Sequence, residues 1–362
     1  MPESSIVVRP DSPDNPTYTA SARLQAAGLQ SAIELFVAAA AEVAVPRPPQ
    51  PIVIADYGAS TAHNSLLPVC AAIAALRRRT SKEQPILVAH TDTADNDFTA
   101  MFNTVVNDPD SYLHKDSAVY ASAVGRSFYT QILPSYSVNL GWSSWAIQWL
   151  SRSPAIGDHI VPAFSRDTAV AAECARQAAY DWHEFVAHRG RELAPEGRLV
   201  VLTMGLDESG EFGLRPLVHT LYAVLQELVG AGVITATELA AMSIPLVGRT
   251  AKDFEAPFAP KDSIEGLSIE LIEVSDAEDR FWQRYQADQD AKTFGAQWAA
   301  LLRASVFDTL ATALAGGATD PRAAEFADRL QRGVSERLAA APEQMRIPLA
   351  KVVLRKKPGT SG

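Results

Sequence analysis

Residues 51–64, PIVIADYGASTAHN, decide the fold. The run at 51–57 is apolar and rich in β-branched residues, a turn containing Gly58 interrupts it, and an apolar helical pattern extends over 65–79. This order predicts a buried strand followed by a helix. Asp56 stands at the end of the strand, immediately before a turn of small residues. It therefore places a carboxylate and backbone N–H groups where open α/β sheets bind ligands.

The same pattern recurs along the chain. Apolar runs at 85–90, 118–124, 137–140 and 198–203 are predicted as strands, with a β-like run at 267–274 and a last strand at 351–355. Helical patterns cover 20–43, 214–242, 298–315 and 322–340. Strands that alternate with helices imply an α/β fold with a parallel sheet between helices. We expect three segments: residues 1–205 with most of the sheet, 206–280 as a mostly helical cap, and 281–362 completing the core.

Composition and charge narrow the function. The chain has 362 residues, of which 47% are hydrophobic, and no uncharged apolar run of 18 residues, so a soluble globular protein without membrane insertion is expected. Its 42 acidic against 32 basic residues argue against binding to nucleic acid or to an anionic membrane surface. These numbers favour chemistry on a small molecule.

The cellular setting is also predicted. Cys70 and Cys174 are the only cysteines, which excludes a disulfide framework and fits a reducing cytoplasm. The N-terminal residues lack the features of a secretory signal. An excess of arginine over lysine is typical of a GC-rich bacterial genome.

One sequence resembles a zinc motif without meeting its geometry. His183 and His188 in HEFVAH are five residues apart. A helix brings residues four apart onto one face, so these two histidines cannot bind one zinc ion as those of HExxH do. We predict no metal site.

Five segments carry a family resemblance. In this order and spacing, IADYGASTAHNSLLPV, HTDTADNDFTAMF, GRSFYTQILP, NLGWSSWAIQWLSRSP and GRLVVLTMG resemble the SABATH family, the salicylate, benzoate and theobromine methyltransferases. Tyr18 and Gln25 extend the similarity toward the N-terminus. The resemblance implies a Rossmann-like class I methyltransferase sheet with an inserted helical cap, S-adenosyl-L-methionine as cofactor, and a homodimer.

The resemblance also implies the cofactor residues. Those that match the family's cofactor site are Tyr18, Asp56, Gly58, Asn64, Asp92, Thr93, Ser127 and Phe128. Phe128 supplies a flat apolar surface for the adenine, and Asp92 is placed to accept hydrogen bonds from the ribose. His63 either contacts the cofactor's methionine carboxylate or is an exposed turn residue.

Gln25 and Trp149 match the residues that hydrogen-bond the substrate carboxylate in this family. Both side chains donate hydrogen bonds and neither is a general base. A general base is not needed, because a carboxylate with a pKa near 4 is already ionised at neutral pH. The reaction requires alignment and exclusion of water instead.

An aromatic stretch is predicted to wall the acceptor pocket. With Gln25, the pocket residues are Trp142, Ser143, Trp145, Gln148 and Trp149. Trp145 stands where the family usually has tyrosine, and residues 240–243 lack the family's metal-associated segment, so no magnesium is expected. We place acceptor specificity in the part of the cap between 254 and 276.

The implied activity is methylation of a small or medium apolar carboxylic acid, either a fatty acid or a benzoate- or salicylate-like acid, to its methyl ester. N-methylation of a purine-like heterocycle is the first alternative. A protein that binds S-adenosylmethionine without catalysis is the second.

Overall fold

A computed structural model describes residues 16–207, 209–259 and 261–359, with side chains from Leu29 onward except at 318. One seven-stranded sheet runs through it. Its strands are β1 Ile52–Tyr57, β2 Ile86–Asp92, β3 Val119–Gly125, β4 Val138–Ser144, β5 Leu193–Met204, β6 Leu267–Ala277 and β7 Ile347–Lys356. Their spatial order is β3-β2-β1-β4-β5-β7-β6.

The helices of the described residues lie before and between these strands in the chain. They are α1 Pro16–Glu42, α2 His63–Arg77, α3 Phe98–Asn107, α4 Tyr112–Lys115, α5 Thr168–Glu192, α6 Arg215–Gly230, α7 Ala236–Ala241, α8 Ala251–Glu255, α9 Arg280–Asp288, α10 Ala291–Leu302, α11 Asp308–Ala311 and α12 Ala323–Ala340. A π-helical turn, Arg303–Phe307, joins α10 to α11, and short 3₁₀ turns occur at Pro162–Phe164 and Gly317–Thr319.

Successive side chains of β1 point to opposite faces of the sheet and so contribute to two hydrophobic cores. Ile52 and Ile54 of β1 belong to a core that includes residues of α1, α2, α6 and α10 to α12. Val53 and Tyr57 face a second core on the other side of the sheet, with Phe185 of α5. Because both faces are covered, β1 is a nearly continuous apolar run, as buried parallel strands are.

The predicted α/β fold is confirmed, with one refinement to the segment at 206–280. Strands β1 to β5 are parallel, and β7 runs antiparallel between β5 and β6. Residues 267–277, placed in the helical cap, form the edge strand β6 of the sheet. The helical part of that segment therefore ends before β6, and the three-part division remains a proposal.

Among the described residues, no helix is long and apolar enough to cross a membrane.

Candidate active site

The strand order places a crevice at the carboxyl ends of β1 and β4. From β1 the chain moves to β2 and β3 on one side, whereas β4 pairs with β1 on the other side. Open α/β sheets bind ligands at such a reversal. The turn after β1 and the segment after β4 meet here.

Gly58, in the turn after β1, packs tightly against Ala146 in the segment after β4. Its φ is +87°, and a Cβ built on it would lie 2.3 Å from the Cβ of Ala146 and 3.4 Å from Cε1 of Phe128. Any larger residue would collide with Ala146 and strain the backbone. The predicted cofactor residues Gly58 and Phe128 are therefore neighbours in space.

Asp92, the last residue of β2, forms a hydrogen bond to the turn after β1. Its Oδ2 accepts a hydrogen bond from the backbone N–H of Ser60 at 2.7 Å, and its Oδ1 accepts one from the N–H of Thr93 at 2.8 Å. Burial raises the pKa of the Asp92 carboxyl. Asp92 and Thr93 thus lie beside the turn, where the resemblance places the ribose.

Asp56 is almost completely buried at the end of β1. Its carboxylate lies 2.8 Å from Nδ1 of His90, and Nε2 of His90 lies 2.8 Å from the hydroxyl of Tyr112. Sequence reasoning missed His90 and Tyr112. Their only sequence signal is that a histidine stands in the apolar run of β2 and must find partners when buried.

A cavity of about 270 Å³ opens beside this turn. Gly58, His63 and Asn64 line it, together with Trp145, Gln148 and Trp149 from the segment after β4. The rest of its wall is mainly aliphatic and includes Leu217, Val218, Leu221, Leu301, Leu302 and Val306. The predicted cofactor turn and three of the predicted acceptor residues therefore border one space.

The segment after β4 is held in an unusual conformation. Trp145 has φ of +55°, which is rare for a bulky residue and is found where function or packing requires it. Nε2 of Gln148 donates to the carbonyl of Trp145 at 2.7 Å, and Oε1 of Gln148 accepts from Thr203 at 3.1 Å. The indole N–H of Trp145 is buried and finds no acceptor among the described residues.

Residues 11–357 of the chain match the family described as SAM dependent carboxyl methyltransferase. The chain belongs to this family. The SABATH resemblance deduced from the five segments is thereby confirmed, since the match covers nearly the whole sequence.

Several curated methyltransferases resemble this family member. A Fusarium sp methyltransferase is 26% identical over 245 residues, which are 66% of this chain and 63% of the relative. Loganic acid O-methyltransferase of Catharanthus roseus is 26% identical, covering 58% of each chain. A benzoic acid/salicylic acid carboxyl methyltransferase of Petunia hybrida is 27% identical, covering 54% of this chain and 59% of the relative. The match spans less than two thirds of these relatives.

The solved structure of loganic acid methyltransferase with SAH has the same fold as this methyltransferase family member. The TM-score is 0.74 at 21% identity, and the alignment covers 98% of this chain and 100% of that one.

Two predicted pocket residues of this family member lie in the core instead. Trp142 is fully buried within β4, and its ring packs 4.8 Å from that of Phe36 on α1. Ser143, also fully buried, donates to the carbonyl of Tyr57 at 2.9 Å. Neither lines the cavity, because both precede the end of the strand, whereas Trp145 follows it.

The region predicted to set acceptor specificity lies away from this cavity. None of the described residues from 254 to 276 lines the cavity. Phe254 and Phe258 instead pack in the second core, and the indole N–H of Trp182 donates to the carbonyl of Phe254 at 3.0 Å. The cavity wall comes from α6 and from the region of α10 and the π-helical turn.

Arg249 has a role that its sequence position did not reveal. The side chain is buried, with Nη1 donating to the carbonyl of Ile147 at 2.7 Å and Nη2 to that of Ala178 at 2.9 Å. Burial lowers the pKa of its guanidinium. Arg249 thus fixes the backbone between Trp145 and Trp149.

The remaining predicted residues are placed as follows. Ser127 and Phe128 lie half-buried in the loop after β3. Tyr18 and Gln25 are on α1, and their side chains lie outside the described residues. His183 and His188 each approach the carboxylate of Glu184, at 3.2 and 3.5 Å. Among the side chains described, no three metal-binding residues cluster.

Proposed function

We propose that this chain transfers the methyl group of S-adenosylmethionine to the carboxylate of an apolar, chiefly aliphatic acid and releases a methyl ester. One observation carries the proposal: a single cavity extends from the turn containing Gly58, past Trp145 and Trp149, to an aliphatic wall. Both partners of a methyl transfer would meet in that space.

The residues present fit the cofactor. Gly58 allows a close approach of the backbone, and the N-terminal turn of the 15-residue helix α2 contributes His63 and Asn64 to the cavity. A helix N-terminus attracts carboxylates such as that of the methionine part. We place the adenosine beside Asp92, Ser127 and Phe128. When bound, the cofactor supplies an electrophilic methyl group.

The acceptor carboxylate would be held by N–H donors. Trp145 and Trp149 line the cavity, and each carries an indole N–H, which donates and never accepts. Gln25 is proposed as the third donor. The chain's task is to orient one carboxylate oxygen and exclude water, and proton transfer is unnecessary.

The wall of the cavity favours an aliphatic acid. Leu217, Val218 and Leu221 of α6 line the cavity together with Leu301 and Val306, in a largely apolar wall that also includes Glu278 and Ser305. A purine-like heterocycle carries several ring carbonyls and nitrogens, and most of them would lie against this largely apolar wall with few hydrogen-bond partners, which is costly. A benzoate-like acid is the closer competitor, because it also needs only a carboxylate contact.

The deciding experiment measures transfer of labelled methyl groups from S-adenosylmethionine into organic solvent. The panel contains straight and branched aliphatic acids of increasing length, benzoate, salicylate and xanthines. Base-labile products from the aliphatic acids are expected. Products from xanthines alone would replace the carboxylate with a heterocyclic nitrogen. Binding of S-adenosylhomocysteine without turnover on any acid would contradict the proposed chemistry.

A matched pair of variants tests the carboxylate contact. Trp149→Phe keeps a ring and removes the N–H, so kcat/KM for the best acid should fall about 10- to 100-fold, as for one hydrogen bond to a charged group. Trp182→Phe removes a buried N–H that bonds to Phe254, away from the cavity. It should lower stability and leave kcat/KM nearly unchanged. Equal losses in the two variants would refute the role of Trp149.

Three wider expectations remain part of the proposal. The chain is proposed to work in the cytoplasm. It is also proposed to form a homodimer, and light scattering of the purified protein would test that oligomeric state. The division at 205 and 280 is proposed with β6 reassigned to the sheet.

A further inference from the structure

A buried ion pair lies behind the loop that carries Ser127 and Phe128. Arg189 and Glu192 occupy the last turn of α5, and neither side chain is exposed. Nε of Arg189 donates to Oε2 of Glu192 at 2.9 Å, and Nη2 donates to Oε1 at 2.8 Å. This paired geometry is the strongest that arginine and a carboxylate form.

Four further hydrogen bonds join the pair to the loop after β3. Nη1 of Arg189 donates to the carbonyl of Phe128 at 2.6 Å, and Nη2 donates to the carbonyl of Thr130 at 2.9 Å. Oε1 of Glu192 accepts from the N–H groups of Ile132 at 2.6 Å and Leu133 at 3.0 Å. Two carbonyls and two N–H groups of one irregular loop are thereby satisfied.

The pair also contacts the other half of the site. The hydroxyl of Tyr57 donates to Oε2 of Glu192 at 2.9 Å, and the guanidinium of Arg189 lies 4.4 Å from the centre of the Tyr57 ring. Tyr57 directly precedes Gly58. One pair therefore connects the turn after β1 to the loop after β3.

Stability alone does not account for such a pair. Buried ion pairs are often no more stabilising than apolar side chains of similar size, because both charges lose hydration. Apolar side chains, however, could not bond to the four backbone groups of the loop. What the ion pair adds is a defined position for that loop.

We propose that Arg189 and Glu192 are positioning residues for the cofactor. They fix Phe128 beside Gly58, in the position in which its ring contacts the adenine. This inference rests on the proposed placement of the adenosine beside Phe128. Both side chains are fully buried, so the pair acts through the backbone of the loop.

The test is a double-mutant cycle on the dissociation constant of S-adenosylhomocysteine, measured by calorimetry. Arg189→Lys keeps the charge but lacks the planar fork that reaches both carbonyls. Alone it should weaken binding about tenfold, comparable to the loss of one charge-assisted hydrogen bond. In the Phe128→Ala background, the same change should weaken binding less than twofold, because coupled residues are not additive.

The control is Arg191→Lys, two residues away on the same helix. Arg191 forms an exposed ion pair with Glu265 at 2.9 Å. Its replacement should leave the dissociation constant within twofold and should be additive with Phe128→Ala. Glu192→Gln provides a second probe of the buried pair if Arg189→Lys does not fold.

Each result has a distinct meaning. A lowered melting temperature with unchanged affinity, or full additivity with Phe128→Ala, would overturn the positioning role and leave a purely structural pair. An unchanged affinity in Phe128→Ala alone would overturn the adenine placement on which the inference depends. Neither result depends on the experiment with the panel of acids, which tests methyl transfer separately.

Discussion

At the scale of single residues, the site depends on a close backbone contact that only glycine permits. Gly58→Ala would place a methyl group 2.3 Å from the Cβ of Ala146. Affinity for S-adenosylhomocysteine should fall at least about tenfold, since the turn must shift and its strained φ becomes costlier.

Gly232→Ala is the matched control for this prediction. Its φ is +71°, and nothing lies within 4 Å of the added Cβ. It should lose stability from the backbone conformation while keeping cofactor affinity. If calorimetry gave the same affinity for both variants and the native chain, close packing at Gly58 would have no role in binding.

Residue type alone did not show which tryptophans face the cavity. Trp142 and Trp145 are three positions apart, yet Trp142 is fixed in β4 and packs against Phe36. Trp145 follows the end of the strand and takes a left-handed conformation. Strand ends are defined by pairing with β1 and β5, which a local pattern does not contain.

At the scale of elements, helix α6 is expected to set the length of the acid. Leu217 lines the cavity, whereas Leu225 of the same helix is buried away from it. Leu217→Trp should fill part of the cavity and lower kcat/KM for long acids relative to short ones about tenfold. Leu217→Ala should shift preference toward longer or branched acids.

Leu225→Ala separates this effect from loss of stability. Both alanine variants remove a buried leucine and should destabilise the fold by about 2–5 kcal/mol. Only the change at Leu217 should alter the ratio of long to short acids. The same ratio in both variants would exclude α6 as the element that selects the acid.

The π-helical turn is the other element that shapes the cavity. The sequence predicts one continuous helix over 298–315, but the hydrogen-bonding pattern widens at Arg303–Phe307. Ala304, Ser305 and Val306 of this turn line the cavity. Such turns occur often at functional sites and leave little trace in hydrophobic periodicity.

At the scale of the whole molecule, Glu238 connects α7 to the C-terminal helices. Its carboxylate accepts hydrogen bonds from Arg322 at 2.5 Å and from the N–H of Ala315 at 2.9 Å. The Arg322 guanidinium, followed by backbone N–H groups, lowers the pKa of Glu238 from 4.5 to about 2. The folded state therefore favours the ionised form.

This shift predicts a pH-dependent stability. Because the folded pKa is lowered, the contribution is complete above about pH 4.5 and is lost as the pH falls toward 2. Glu238→Gln should lower the melting temperature by about 2–4 °C at neutral pH, and the difference from the native chain should shrink below pH 4.5. Exposed Glu255→Gln should show no such difference. If the difference in melting temperature between Glu238→Gln and the native chain stayed constant across this pH range, ionisation of Glu238 would not be the cause of that difference.

The sequence by itself determined the α/β class, the parallel strands, and the position of the turn from Asp56 to Asn64, which we propose as the cofactor region. These follow from local signals: apolar runs long enough for strands, a glycine at a forced turn, and motifs that keep their order. The family resemblance rests on the same local segments and was confirmed over residues 11–357.

Only the tertiary structure decided what surrounds that turn. The partnership of Asp56 with His90, the buried pair Arg189 and Glu192, and the aliphatic wall from α6 join residues distant in the chain. The position of residues 254–276 outside the cavity lining has the same cause. Burial and pairing depend on which elements become neighbours, and that is set by packing of the entire sheet and its helices.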